Sequence, residues 1–401
     1  MEQIQLFDDF GNENEDDLIQ QVETFEQAVV WGTDWTTETI TNQLIKGNID
    51  LQPKFQRRDA WSQLAKSKFI ESLFLGLPIP QIILAEKKEN KGKYIVIDGK
   101  QRLLTIRNFF SKDVEDAFKP LKLSGLKILP QLNGLTYLQL LNHPNYNQLV
   151  NQLQNQPIRT TVIKNWPNES FLFTVFLRLN TGSIKLSPQE LRQALHPGKF
   201  IDYADNFSIE SEAIKLMLGL KSPDFRMRDV EIVIRYFSYK YYLETYDGNL
   251  KNSFDNTVKT LNLNWDAKEQ EIISESKKLE DAINFTVETF GTKEAFSKWN
   301  GNNFQNNFNR AIFDIMVYYF SIKQIKDKAE TKKVEIVQAF KLLCENDKDF
   351  LISFEHTTKS IPNTAKRFNT WGEKLAEVLE IKILVPVVEN NRLTLKNSIN
   401  G

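Results

Sequence analysis

Strand-type and helix-type patterning occupy different parts of this chain. The short β-rich runs QIILAEK, KYIVID and IRTTVIK all fall before residue 165. Beyond residue 200 such runs fade. VEIVIRYFSYKYYL, NRAIFDIMVYYFSIK, KKVEIVQAFKLLC and TAKRFNTWGEKLAEVL carry apolar stripes at helical spacing instead. The chain therefore reads as an α+β domain followed by a mostly α-helical one. At 401 residues two domains are the natural division. The expected boundaries are an arm over 1–34, a first domain over 35–200 and a helical domain over 201–401. With 41 % apolar residues and 28 Phe, the chain has enough apolar material for real cores. The tail runs KILVPVV and RLTLKN are β-like pieces without an evident place.

Charge excludes several classes of function. Lys and Arg number 51 against 52 Asp and Glu, so no global positive field exists and any nucleic-acid contact must be a local patch. One cysteine, Cys344, leaves no internal disulfide. With only His143, His196 and His356 beside it, zinc sites built from Cys and His are nearly ruled out as well. The start is acidic without a basic n-region, and no apolar run reaches the roughly 20 residues that span a bilayer. A cytoplasmic protein without membrane partners is expected. The first 45 residues hold eleven carboxylates and no Lys or Arg. Within them Leu18, Val22, Phe25, Val29 and Val30 recur at helical spacing, which predicts a short amphipathic helix. It is either a solvated arm packing one face on the body or a partner-docking, DNA-mimicking segment.

Along the first domain, ETITNQLIKGN reads as a helix ending near Gly47, and Ser62 caps a helix over SQLAKSKFIESLFLG. LPIP is rigid and extended. KKENKGK is a hairpin loop between two strands, and LLTIRNFF is the next helix. FKPLKLSGLKIL suggests strands or a lobe with turns at Pro120 and Gly125. A helix is expected over Asn168–Asn180. Ser187-Pro188-Gln189-Glu190 is a strong helix start, stopped at His196-Pro197-Gly198.

Three segments carry candidate chemistry. In Tyr94-Ile95-Val96-Ile97-Asp98-Gly99-Lys100-Gln101-Arg102 an apolar strand runs into a tight turn that opens a helix. The new helix end presents free amides and a partial positive charge, which Lys100 and Arg102 reinforce, so the segment suits a phosphate. Asp98 would be repelled there unless a divalent cation, a ribose hydroxyl or Arg102 meets it. A purely structural cap is the competing interpretation. Pro53-Lys54-Phe55-Gln56-Arg57-Arg58-Asp59-Ala60-Trp61 sets basic forks around aromatics that could stack a base. It also fits a surface loop whose Arg pairs with Asp59 or Glu71. The third segment, Phe176-Leu177-Arg178-Leu179-Asn180-Thr181-Gly182 with Leu186–Arg192, reads by itself as one helix end followed by another helix start. Lys54, Arg58, Lys66 and Lys68, close together with Arg57, form a candidate DNA-binding face. The aromatics Tyr236, Phe237, Tyr239, Tyr241 and Tyr242 read as core rather than a base-stacking platform.

Taken in order, Pro-x-Phe-Gln-Arg…Trp, Gly-Leu-Pro-Ile-Pro, Val-Ile-Asp-Gly-Lys-Gln-Arg-Leu and Phe-Leu-Arg-Leu-Asn-Thr-Gly…Leu-Ser-Pro-Gln-Glu-Leu-Arg resemble the N-terminal domain of GmrSD-type modification-dependent restriction endonucleases. This is a ParB/sulfiredoxin-like domain known by its Asp-Gly-Gln-Gln-Arg motif. The resemblance covers roughly residues 35–200. Asp224–Glu231 and Thr364–Phe368 are similar to stretches of the family's helical lobe. It implies a nucleotide-binding, NTP-hydrolysing subunit of a bacterial anti-phage system that controls DNA cleavage. Its partner would be a nuclease or ATPase subunit, and Mg²⁺ would accompany the NTP. It implies a catalytic loop of Asp98, Gln101 and Arg102, with Gly99 and Lys100 at the nucleotide. Gln56 and Arg57 would approach the phosphates, and Arg178 and Asn180 would close the site. In that arrangement Arg57 and Arg102 offset phosphate charge, Asp98 holds Mg²⁺ or orients water, and Gln101 positions the nucleophile.

The chain departs from the family pattern in two places. Lys100 stands where the motif's first Gln is usual, which preserves charge but loses a water-positioning amide. His356 has no partner His nearby, so no HNH nuclease is expected and cleavage would need a partner. No Cys lies near the loop, which excludes sulfiredoxin chemistry. The alternatives are a non-catalytic DNA-binding or scaffold protein of the same fold, and a nuclease acting through the ParB-like core. Clustered acidic ligands for such a nuclease are not evident in the motifs.

Overall fold

A computed structural model describes residues 28–51, 58–111, 118–179, 187–355 and 358–399, with backbone alone at 170 and 177–179. They fall into two compact units divided between Leu195 and His196.

The first unit is the expected α+β core. Its elements run β1 (Val29–Thr36), α1 (Thr37–Ile45), α2 (Gln63–Phe74), β2 (Ile82–Glu86), β3 (Tyr94–Asp98), α3 (Lys100–Phe109), α4 (Tyr137–Leu141), α5 (Asn147–Asn155), β4 (Pro157–Lys164), α6 (Glu169–Leu179) and α7 (Pro188–Leu195). The four strands form one sheet in the order β1-β4-β2-β3. β1 and β4 pair antiparallel, β4 and β2 parallel, β2 and β3 antiparallel. Alternation along the strands sends successive side chains to opposite faces. Ile83, Ala85, Ile95, Ile97 and Ile163 pack with α6 and α7 through Phe173, Phe176 and Leu191. Their neighbours Ile82, Leu84 and Val96 are buried too, so both faces of the sheet are covered at β2 and β3, whereas the edge strand β1 is largely exposed. α1, α2, α3 and α5 pack on one another as the second layer.

The helix starts are side-chain capped where Ser and Thr allow it. Thr36 Oγ1 accepts the Thr39 N–H at 3.1 Å, and Ser62 Oγ accepts that of Ala65 at 3.2 Å. α7 opens with a reciprocal box: Ser187 Oγ accepts from Glu190 N at 3.1 Å, and Glu190 Oε2 accepts from Ser187 N at 2.7 Å.

The structure corrects the sequence expectation at Val29 and Val30, which lie in β1 rather than on an amphipathic helix. They pair with Lys164 and Ile163, partners far along the chain that a local period does not register. Leu18, Val22 and Phe25 lie outside the described residues. β1 also begins before the boundary expected at residue 34. The segment around Lys119–Leu129 is the lobe alternative, not strands. It lies against α2, where Glu71 Oε1 accepts the N–H groups of Ile128 and Leu129 at 3.0 and 2.8 Å.

The second unit is helical: α8 (Lys199–Glu210), α9 (Glu212–Leu218), α10 (Arg228–Tyr242), α11 (Leu250–Leu263), α12 (Trp265–Phe290), α13 (Arg310–Phe320), α14 (Lys323–Ala329), α15 (Lys333–Asn346), α16 (Lys348–Ile352) and α17 (Ile361–Leu379). Tyr236, Phe237 and Tyr239 are buried in its core, as expected of that stripe. Asp314 sits between two buried arginines. Arg235 bonds both its oxygens, at 2.5 and 2.8 Å, and Arg367 lies 3.6 Å away. The tail pieces form a hairpin, β5 (Leu384–Glu389) with β6 (Arg392–Asn397), that packs on α17. Asn390 and Asn391 turn it with φ of 49° and 59°. Among the described residues no helix is long and apolar enough to cross a membrane.

Candidate functional site

The Asp98 loop is positioned by an irregularity in the sheet. Ile83 pairs with Asp98 and Leu84 with Val96, so Ile97 is an extra residue on β3. Such a bulge turns the strand end and re-aims the side chain that follows. Gly99 then takes φ +99°, a left-handed conformation that glycine adopts freely, and α3 starts at Lys100. No side chain caps this helix, so its first amides point out of the turn without a side-chain acceptor.

Asp98 is half-buried and met by Arg102, one of the three partners its position demanded. Asp98 Oδ1 accepts the Gly99 N–H at 2.7 Å, and Oδ2 accepts from Arg102 Nη2 at 2.9 Å. The same Nη2 donates to the Gln81 carbonyl at 2.9 Å. Arg102 is buried, and its Nε has no acceptor. A buried donor without a partner costs about 1–3 kcal/mol, which an anion at the loop would recover. Gln101 leans the other way. Its Oε1 accepts the Ala60 N–H at 3.3 Å, so the loop is tied to the start of α2.

Lys100 is placed differently from the phosphate role its charge suggests. It is 6 % exposed, and its ammonium bonds Glu190 Oε1 at 2.5 Å. Because Glu190 Oε2 caps α7, the pair ties the starts of α3 and α7 together. Among the described residues the positive charge at the loop is therefore that of Arg102, and Lys100 acts as a strut.

Of the remaining candidates, Lys54, Gln56, Arg57 and Asn180 lie outside the described residues, as does the side chain of Arg178. Arg58 is 1 % exposed and offers no charge to solvent. Lys66 is paired with Asp59. Lys68 is exposed. Among the described residues Asp98 belongs to no group of three metal-ligating side chains. A Mg²⁺ here would take one carboxylate oxygen from Asp98 and the rest from phosphates and water. That donor set suits a cation arriving with a nucleotide rather than a resident one. Sequence reasoning assigned no role to Gln81 or Glu190. Gln81 follows the rigid Leu77–Pro80 stretch that delivers its carbonyl to Arg102, and Glu190 was visible only as part of a helix start.

Neither the curated proteins nor the solved structures give a match to the chain. Residues 38–197, which hold the Asp98 loop, both helices tied by Lys100 and Glu190, and almost the whole α+β unit, match the family model of the GmrSD restriction endonuclease, N-terminal domain, and are similar to it.

Proposed function

We propose that the first unit binds a nucleoside triphosphate at the Asp98–Arg102 turn and hydrolyses it. The chain would then serve a restriction or anti-phage system in which nucleotide state controls DNA cleavage by a partner. One observation carries this reading. In a stretch similar to a restriction-endonuclease domain, an uncapped helix start lies beside a buried arginine with a spare donor and a carboxylate that can still take a cation. The helix amides and Arg102 Nε would hold phosphate oxygens. Asp98, bonded to Arg102, would orient a water or carry Mg²⁺, which supplies charge neutralisation on the phosphates. Gln101, anchored at Ala60, would set the approach of the nucleophile. Gln56, Arg57, Arg178 and Asn180 complete the site in this reading.

The test is phosphate release from each of the four NTPs with Mg²⁺, wild type beside Asp98→Ala and Arg102→Ala. Turnover in the wild type and its loss, by at least a hundredfold, in both variants is expected. Wild-type rates in both variants would remove the site from this loop. The burial of Lys100 against Glu190 favours a second reading, binding without turnover, because that side chain contributes nothing to a water. A rise in melting temperature with NTP and no phosphate release would identify it.

A further inference from the structure

The near-neutral charge of this chain conceals a strong local imbalance. Between Asp116 and Glu169 lie 52 residues without a single carboxylate. Two of the cations in that stretch are engaged: Arg159 pairs with Asp34 at 3.3 Å, and Lys164 lies over the Trp31 ring at 4.7 Å. Lys119, Lys122 and Lys127 are different. All three are exposed on the lobe between Phe118 and Leu135, and none has a carboxylate partner among the described residues.

The lobe is held rigidly to α2. Gln63 Nε2 donates to the Lys122 carbonyl at 2.9 Å, and Ser124 N donates to Ser67 Oγ at 3.0 Å. Leu64 presses on Gly125 so closely that a Cβ there would stand 2.6 Å from Leu64 Cδ1. Exposed Lys68 lies one helical turn beyond Leu64, which adds a fourth ammonium to the same face. The carboxylate built into this junction is Glu71. It is buried, and one of its oxygens is occupied by the amides of Ile128 and Leu129. Among the described residues the junction thus withdraws its own carboxylate and leaves four positive charges on the lobe and α2.

We infer that the 118–135 lobe and the adjoining face of α2 form a docking surface for nucleic acid, gripped through its phosphate backbone by Lys68, Lys119, Lys122 and Lys127. The chemistry of the surface sets the mode. Lysine is a point charge suited to phosphates. The lobe contains no Arg fork and no exposed aromatic, the groups that read base edges or stack bases. Docking is therefore independent of sequence. Ile128 and Leu64 are exposed beside the lysines but as single side chains, not as the continuous apolar face that insertion into a lipid surface requires. This surface replaces Arg58 and Lys66, which are buried or paired, as the basic face of the unit. It also reaches the Asp98 loop, because α2 starts three residues after Ala60, the residue that holds Gln101. The inference deepens the proposed function by naming the surface for its DNA partner. Docking is measured without nucleotide, so its failure and a failure of NTP turnover are separate results.

The experiment is fluorescence anisotropy of the full chain with a labelled DNA duplex, across about 50–200 mM salt. The variant is K68Q/K119Q/K122Q/K127Q. The control, K221Q/K277Q/K323Q/K328Q, removes the same charge from exposed positions of the helical unit. Wild type should bind with a linear log–log salt dependence. The lobe variant should lose at least tenfold in affinity, with a slope shallower by about 3–4 and an unchanged melting temperature. The control should bind like the wild type. Wild-type affinity in the lobe variant, an equal loss in the control, or binding to anionic vesicles that DNA does not compete away would overturn the inference.

Discussion

Lys100 and Glu190 illustrate how one residue can be chemically legible and still be misread. An extra cation next to Arg102 suits a phosphate on any local argument. Its actual partner stands 90 residues away on α7, and both side chains are buried. Removing one member of such a pair strands the other charge, at about 3–5 kcal/mol. Lys100→Met should therefore lower stability by that amount in urea unfolding. Lys100→Gln, which can still donate to Glu190, should lose distinctly less and keep the site intact. Equal losses in the two variants would mean that the hydrogen bond to Glu190 carries no weight. The helix start at Ser187-Pro188 was readable from sequence because a Ser cap and a Pro at the first position are local signals. The second bond of Glu190 was not, because nothing in a local pattern specifies a contact across the sheet. Arg102 was the intermediate case. A spacing of four residues on a helix start put it in reach of Asp98, and that is where it lies.

At the scale of elements, the turn between β3 and α3 does most to shape the candidate site. Gly99 is constrained twice, by φ +99° and by Ile82 Cγ1 and Arg102 Nη2, which would meet a Cβ at 3.2 and 3.3 Å. Gly99→Ala should cost about 1–3 kcal/mol, since both backbone strain and crowding oppose it. It should also depress NTP turnover beyond what that stability loss explains, because the crowded atom belongs to the guanidinium that holds Asp98. Turnover equal to wild type in the folded fraction would show that the turn tolerates displacement. Elements with a strong local signal, β2, β3, α2, α3 and α7, stand where the sequence puts them. β1 was hidden because Val29 and Val30 fit a helical period and a strand equally. Only pairing with β4 decides between them. The tail hairpin had its signal in Asn390-Asn391 between two β-like runs, a turn pair that tolerates positive φ.

At the scale of the whole molecule, the division into an α+β core and a helical remainder was legible because periodicity is a bulk property of long segments. The charge architecture was not, since both units bury ionic groups that composition counts as surface. The helical unit holds Glu275 in such a network. Burial raises its pKa, but hydrogen bonds from Lys278 and Tyr236, each at 2.7 Å, and the charges of Lys240 and Lys278 outweigh that effect, so the net shift is downward. A carboxylate with a depressed folded-state pKa binds fewer protons in the folded than in the unfolded chain. Its stabilisation is fully present above the unfolded value, about 4.5, and fades as pH falls through the folded one. Acid titration of the melting temperature should therefore show wild type above Glu275→Gln at pH 7. The gap should narrow once the pH drops below about 4.5. The difference between the two curves isolates this group from the other carboxylates of the chain, which titrate in both proteins. A gap that stays constant down to pH 3 would mean that Glu275 stabilises the unit by shape or neutral hydrogen bonding alone.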